Sequence, residues 1–580
     1  MEHTYLRYEC ADSFGITTAT PSSKAPQSNS ILAFLATNQK STPTLLTTAG
    51  SYCTGWNLKT NQQILRLGHR EHLTGGVGTG RALNSDEVVC LDVLYQQESQ
   101  SAKVATGWVD GGVRIFDLTS EDLRKNDRGL THSLIYENND EDFVQREPLV
   151  LNGHGESPVR TVRFEIQGKG RLASGGSDGA VVLWDIVSET GIFRLIGHRG
   201  GITDISFASV DGVDALITSS LDGLVKVWDL DAQCCTQTVA SHRGEVLTAS
   251  CLNVRAPTDE ADRLRLVTGG QDGQVRVWSV ETPARLEAIN QQDERDDEKV
   301  EDSNQDDICS FTGYLVPPEN IAKSSEKVLT VRYHPSGRYL GVLKANAKSI
   351  DVYMIRNMME TEKKRQRRLR RRQEKAKKHS SDTGEVKEGR KRGLLDDEDP
   401  SDEDEEDTIP TDGMVDPEEI KATDEFEWIA SVRCTHKIKS FTFFPQKEKG
   451  DLARLVCALA TNAMETHRLY RSKDRGQGPI TSEKVAATDM YGHPTGIRAI
   501  SLSSDDELAC TVSKNSTKIW NVRSRALIQS RVPAIPDSKS KNGCYGLCSA
   551  FLPGNDHVVI GTREGKATKT KPRACHSVPS

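Results

Sequence analysis

Short apolar runs separated by Gly, Asp and Ser clusters dominate the chain. Leu172-Ala173-Ser174-Gly175-Gly176 is followed by Ser177-Asp178-Gly179 and then by Val181-Val182-Leu183-Trp184-Asp185. Runs this short and this rich in small and β-branched residues predict strands, and the Asp-Gly pair predicts the tight turn between them. The same phrase returns as Leu216-Ile217-Thr218-Ser219-Ser220, Leu221-Asp222-Gly223 and Val225-Lys226-Val227-Trp228-Asp229, displaced by 44 residues. A third copy runs Leu266-Val267-Thr268-Gly269-Gly270, Gln271-Asp272-Gly273 and Val275-Arg276-Val277-Trp278. A Gly-His or Ser-His pair precedes each copy, at His154, His198 and His242.

This pattern resembles the WD repeat, whose period of about 40–45 residues is one four-stranded propeller blade. One such sheet cannot bury both faces alone, and stacking in a ring buries them. Weaker copies flank the clear ones. Ala49-Gly50-Ser51 with Trp56-Asn57, and Thr106 to Asp117 with Phe116 in place of Trp, read as the first two blades. Val331 to Tyr353 reads as a sixth, Ile438 to Tyr470 as a seventh, Gly492-His493 to Asn521 as an eighth, and a ninth begins at Cys548. The predicted fold is all-β: a seven-bladed WD40 propeller followed by an incomplete second propeller, with a long charged disordered insert. The expected organisation is six blades over 1–356 with an acidic loop at 291–307, an insert over 357–428, a seventh blade over 429–475, first blades of a second propeller over 490–566, and an aberrant, disordered tail over 567–580. No apolar strand is expected in that tail, which reads as an altered frame or splice product.

Resemblance to WD repeats implies a buried hydrogen-bonded chain in each blade. It falls on His154, Ser174, Asp178 and Trp184; on His198, Thr218, Asp222 and Trp228; and on His242, Thr268, Asp272 and Trp278. A Ser-His-Asp set recurring once per blade is a structural device, because each buried polar group receives a partner.

Composition narrows the function. Of 580 residues, 75 are basic and 83 acidic, for a net charge of -8, which argues against a globally basic nucleic-acid binder. Charge is instead local. Residues 291–307 carry nine acidic and two basic side chains, and 396–407 carry ten acidic and none basic. Between them stands a basic run: Lys363, Lys364, Arg365, Arg367, Arg368, Arg370, Arg371, Arg372, Lys375, Lys377 and Lys378. It has good helix formers but no apolar stripe, so it is not a membrane-surface helix. Its density suits phosphate neutralisation or nuclear import, and without aromatic residues it does not read bases. The acidic run, of opposite charge, is placed to fold back on it. Ser401, followed by Asp402-Glu403-Asp404-Glu405, resembles an acidic-directed phosphorylation site whose phosphate would add negative charge.

Other chemistry is not expected. The 13 cysteines follow no zinc-site spacing and read as reduced thiols. Gly75-Gly76-Val77-Gly78-Thr79-Gly80 and Gly561 to Lys566 fail the phosphate-loop pattern, and His69-Arg70-Glu71-His72 fails the zinc-protease pattern. No secretory signal, membrane span, cofactor, metal or small-molecule substrate is expected.

A finer resemblance rests on Thr4-Tyr5-Leu6-Arg7-Tyr8 with Phe14-Gly15-Ile16, Gly191 to His198, the basic insert after the sixth blade, Lys437-Ile438-Lys439-Ser440-Phe441, and Leu547 to Gly554. Their order is similar to the tandem-propeller WD-repeat proteins of the UTP-B subcomplex of the small-subunit processome. That resemblance implies a nucleolar, non-catalytic scaffold associated with box C/D small nucleolar ribonucleoprotein and precursor rRNA. Its partners would be processome proteins, these RNAs and a nuclear import receptor. Family members continue through a full second propeller and a helical domain. The competing expectations are an adaptor for a ubiquitin-ligase or signalling complex, and a nonfunctional truncated product.

Overall fold

A computed structural model describes mainly residues 30–68, 87–127, 132–135, 148–254, 263–280, 309–315, 326–382, 420–488, 492–531 and 546–570, with short interruptions. They build an architecture of mostly four-stranded antiparallel sheets whose strands pair largely in sequence order; the first sheet gains a parallel fifth strand, His132–Ile135, and the last has three strands. The third sheet is representative: Val159–Phe164, Arg171–Gly176, Ala180–Asp185 and Thr190–Ile196. The fourth comprises Ile202–Val210, Val213–Ser220, Leu224–Asp229 and Cys234–Ala240. The fifth comprises Val246–Val254, Arg263–Gly270, Val275–Val280 and Cys309–Tyr314.

Two departures from regular pairing recur. One lies between first and second strands, at Val159/Thr161, Ile202/Asp204 and Val246/Thr248. The other lies between third and fourth strands, just before Trp56, Trp184, Trp228, Trp278, Tyr353, His467 and Trp520. These bulges index the repeat and mark equivalent positions where the sequence does not. The turns follow the Asp-Gly signal: Gly179 and Gly223 have φ of 75° and 85°. Asp178 and Asp222 accept from the backbone N–H two residues on, at 3.2 and 3.0 Å.

Successive sheets bury their faces against each other. One apolar cluster joins third and fourth sheets through Ala173, Leu183, Ile202 and Trp228. Others join fourth to fifth, fifth to sixth, and sixth to seventh. A small cluster of Leu45, Trp56, Val456 and Met464 joins the seventh sheet back to the first. Phe34 and Phe444 stack there with ring centroids 4.7 Å apart. Glycines on second strands let the next sheet approach: a Cβ at Gly175 would lie 2.8 Å from Cβ of Ile202, and one at Gly341 2.6 Å from Phe441. Sheets packed face to face in this way form a β-propeller arrangement. At its axis, charges from four different first strands meet. Arg163 lies 3.1 Å from Asp204 and 3.8 Å from Asp92, with Arg332 beside them. Burial pushes Asp92 and Asp204 up and holds Arg332 down at about 10.

Three sequence-based boundaries shift. The charged insert over 357–428 is not disordered throughout: Met358–Asp382 is a helix, Ala422–Glu425 a helical turn, and Phe426 starts a strand. Strong helix formers, and pairs such as Arg370 with Glu374 at 3.2 Å, favour that helix. The seventh sheet does not begin at 429. Phe426–Arg433 pairs with Ser349–Ile355 and completes the sixth sheet, because the third strand there needs an antiparallel partner. The seventh comprises Ile438–Phe443, Ala453–Leu459, Met464–Arg471 and Ile480–Thr488. Finally, Ala567–Thr570 pairs with Val558–Thr562 as a third strand of the ninth sheet, where no strand was expected. Backbone pairing at an edge requires no apolar side chain. The acidic loop 291–307, the acidic run 396–407, Ser401 and residues 571–580 lie outside the described residues.

Candidate functional site

Three sheets carry a buried polar chain of one geometry. His154 Nε2 lies 2.9 Å from Ser174 Oγ, its Nδ1 lies 3.2 Å from Asp178, and Trp184 Nε1 donates to Ser174 at 2.8 Å. In the fourth sheet the separations are 2.9 Å for His198–Thr218, 2.9 Å for His198–Asp222 and 2.9 Å for Trp228–Thr218. In the fifth they are 3.0 Å for His242–Thr268, 3.0 Å for His242–Asp272 and 3.0 Å for Trp278–Thr268. The hydroxyl comes from the second strand, the indole from the third, and the histidine from the loop entering the sheet. Burial alone would raise the three aspartates, but hydrogen bonding and attraction from the histidines outweigh it and hold all three below the ordinary carboxylate value. Burial lowers His198.

An eighth-sheet relative of this chain was not singled out from sequence. His493 Nε2 lies 2.7 Å from Thr511 Oγ1, and Trp520 Nε1 donates to the same oxygen at 2.7 Å. Ser513 and Ser516 replace the aspartate at Nδ1, at 2.9 and 2.8 Å. Burial, then the charge of Lys518, drops His493 to about 4. A histidine held neutral on folding contributes stability above its unfolded value near 6.5 that is lost as pH falls toward about 4. The eighth sheet is therefore expected to loosen in that window. Hydrogen exchange at Thr511 and Trp520 checks this, and His493→Gln should flatten the response. Unchanged exchange between pH 6.5 and 4 would contradict it.

The basic run forms the exposed side of a helix bolted to the sixth sheet. Arg368 reaches buried Asp424 at 3.0 Å, and Lys364 Nζ donates to the Thr423 carbonyl at 3.0 Å. Thr361, in the first turn of the helix, is buried. Lys363, Lys364, Arg367, Arg370, Arg371 and Arg372 are exposed, while Arg365 and Arg368 are half-buried. The helix continues through Lys375, Lys377 and Lys378. At about 1.5 Å per residue, 25 residues make an arm of about 37 Å. The anchor residues Thr423 and Asp424 could not be found from sequence, since they lie some 60 residues from their partners and their short helix carries no periodic signal.

A third polar group gathers in the seventh sheet: Cys434, Glu465 and His467, all buried. Cys434 Sγ and Glu465 Oε2 both approach His467 Nε2, at 3.5 and 3.2 Å. The residues are scattered in sequence and match no ligand spacing. Their one signal is that Cys434 stands four residues before a first strand, as His198 and His242 do.

The model of the WD domain, G-beta repeat, matches residues 146–185, 190–229, 233–279 and 484–521. A WD repeat-containing protein 3 homolog of Dictyostelium discoideum is 33% identical over 149 residues, covering 26% of this chain and 14% of that protein. WD repeat-containing protein 3 of Homo sapiens is 30% identical over 148 residues, again 26% and 14%. U3 small nucleolar RNA-associated protein 12 of Saccharomyces cerevisiae is 28% identical over 138 residues, 23% of this chain and 13% of that protein. The matched stretch thus spans about a seventh of each of these relatives. The chain carries WD40 repeats in a β-propeller architecture and is homologous over about a quarter of its length to these proteins.

Proposed function

We propose that this WD-repeat chain is a non-catalytic scaffold of the small-subunit processome, in its UTP-B subcomplex, acting in the nucleolus on maturation of small-subunit rRNA. The observation that carries this reading is the homology to a yeast protein whose name associates it with U3 small nucleolar RNA. In this reading the first seven sheets are the seven blades of one closed propeller, and the eighth and ninth are the first blades of a second. Exposure of Ile497, Ile500 and Leu502 on the first strand of the eighth sheet supports that division, since the equivalent strands of earlier sheets are mostly covered. The three polar chains hold blades rigid, so that edges and loops meet several partners at once. Affinity then comes from many modest surfaces acting together.

The helical arm contributes the contact to box C/D small nucleolar RNA or precursor rRNA. Its cations neutralise phosphates, and its anchoring to Asp424 fixes their direction. The same run would serve an import receptor. Ser401, once phosphorylated, would strengthen the acidic segment's competition for the cations.

Purification of the 580-residue chain from nuclear extract, with and without nuclease, tests the reading. Processome proteins and precursor rRNA are expected. Ubiquitin-ligase or signalling partners with no RNA would overturn it, and chaperones alone would point to a nonfunctional product. The arm is tested separately by R367Q/R370Q/R371Q/R372Q. Direct RNA binding should fall at least tenfold, and its salt dependence should shrink by about 0.7 per lost phosphate contact. An unchanged salt slope would remove the arm from the RNA interface.

A further inference from the structure

In the seventh sheet the positions of the His–Ser/Thr–Trp chain are all filled, but by different chemistry. His467 follows the bulge at which the other sheets place Trp184, Trp228 and Trp278. Cys457 faces Glu465 as Ser174 faces Val182. Cys434, four residues before Ile438, stands where His198 and His242 stand before Ile202 and Val246. Hydroxyl, imidazole and indole have become thiol, thiol and imidazole, with a carboxylate added from the third strand.

We propose that Cys434, Glu465 and His467 form a zinc-binding site inside the seventh sheet. The donor set mixes sulfur, imidazole nitrogen and carboxylate oxygen, the three ligand types of protein zinc. All three donor atoms lie within 4.8 Å of one another. A tetrahedral ion with bonds of about 2.3 Å to sulfur, about 2.05 Å to nitrogen and about 2.0 Å to oxygen needs S–N and N–O separations of about 3.5 and 3.3 Å. The structure has 3.5 Å from Cys434 Sγ to His467 Nε2 and 3.2 Å from Nε2 to Glu465 Oε2. The site is buried: Cys434, Glu465 and His467 are 4%, 2% and 3% exposed.

Outer contacts orient the carboxylate. Lys484 Nζ and Thr435 Oγ1 donate to Glu465 Oε1 at 2.7 and 2.6 Å, while Oε2 accepts from the Thr435 N–H at 3.3 Å and faces the histidine. Cys457, fully buried, stands opposite Glu465 on the neighbouring strand. These three residues supply three of the four ligands of a tetrahedral ion, and the fourth comes from outside the set. On binding, the Cys434 thiol proton leaves to solvent, and zinc takes its place.

Cobalt(II) titration of the full chain tests the site. One equivalent should produce the absorption of a tetrahedral cobalt–thiolate centre, displaced by zinc. Zinc alone should raise the unfolding temperature. Cys434→Ser and His467→Gln should each weaken cobalt binding at least tenfold, with apo circular dichroism confirming their fold. Cys234→Ser/Cys235→Ser, which removes an exposed neighbouring pair, should leave the signal intact. Absence of a stoichiometric signal, or one that survives Cys434→Ser and vanishes with the exposed pair, overturns the proposal. If the buried variants do not fold, X-ray absorption of the zinc-loaded native chain decides. Mixed sulfur and nitrogen or oxygen neighbours are expected, and a shell without sulfur, or of sulfur alone, contradicts the site.

Discussion

Arg265→Ala is expected to destabilise the chain by about 3–5 kcal/mol, the cost of removing one member of a buried ion pair. Arg265, on the second strand of the fifth sheet, donates from Nε and Nη2 to Glu425 at 2.8 and 2.6 Å. The two are 3% and 7% exposed, so the orphaned carboxylate could not recover its hydration. The partners are 160 residues apart, and Glu425 lies where the charged insert returns to the sixth sheet. Its loss should loosen Phe426–Arg433 and, through the adjacent Asp424, the footing of the basic helix. Urea unfolding followed by circular dichroism measures the first effect, and hydrogen exchange over 422–433 the second. Arg265→Met with Glu425→Met should recover most of the loss, because the apolar pair needs no counter-charge. A change below about 1 kcal/mol in Arg265→Ala would mean that water reaches the pair.

Trp228→Ala is expected to cost about 3–5 kcal/mol, from lost burial and the cavity it leaves. The indole is 4% exposed and packs in the cluster that joins third and fourth sheets, so the damage falls on the interface between them. It also removes the donor to Thr218 Oγ1 at 2.9 Å. Trp228→Phe separates the two effects: it keeps much of the area and should cost about 1–3 kcal/mol for the missing hydrogen bond. The urea midpoint is the measurement. If Phe and Ala proved equally costly, the hydrogen-bonded chain rather than packing would dominate.

The strongest repeats were legible because each blade carries its own turn and its own strands. Asp178-Gly179 and Asp222-Gly223 announce turns through local chemistry, and the 44-residue offset fixes which strands correspond. Where the repeat letters change, the reading weakened. The strand Phe426–Arg433 was divided between the insert, ending at 428, and a seventh blade beginning at 429, although it pairs with Ser349–Ile355 across the long insert. Loop length does not decide strand pairing, since closing a longer loop adds little free energy. The basic run was legible as charge and as helix formers. Its attachment was not, because Arg368–Asp424 joins residues far apart in sequence. His467 carries no signal in the sequence, and only the bulge before it shows that it occupies the tryptophan position.

The sequence by itself determined the all-β repeat and its turns, and through the repeat its resemblance to WD repeats, which implied the polar chains of three sheets. Each depends on contacts within some 45 residues, so local pattern and period suffice. Tertiary structure alone decided which sheets meet, that first strands bring Asp92, Arg163, Asp204 and Arg332 together, and that Cys434, Glu465 and His467 converge. Those juxtapositions depend on how one sheet stacks on the next. Stacking is set by non-directional apolar burial and steric fit across sheets, which leave no fixed spacing in the chain.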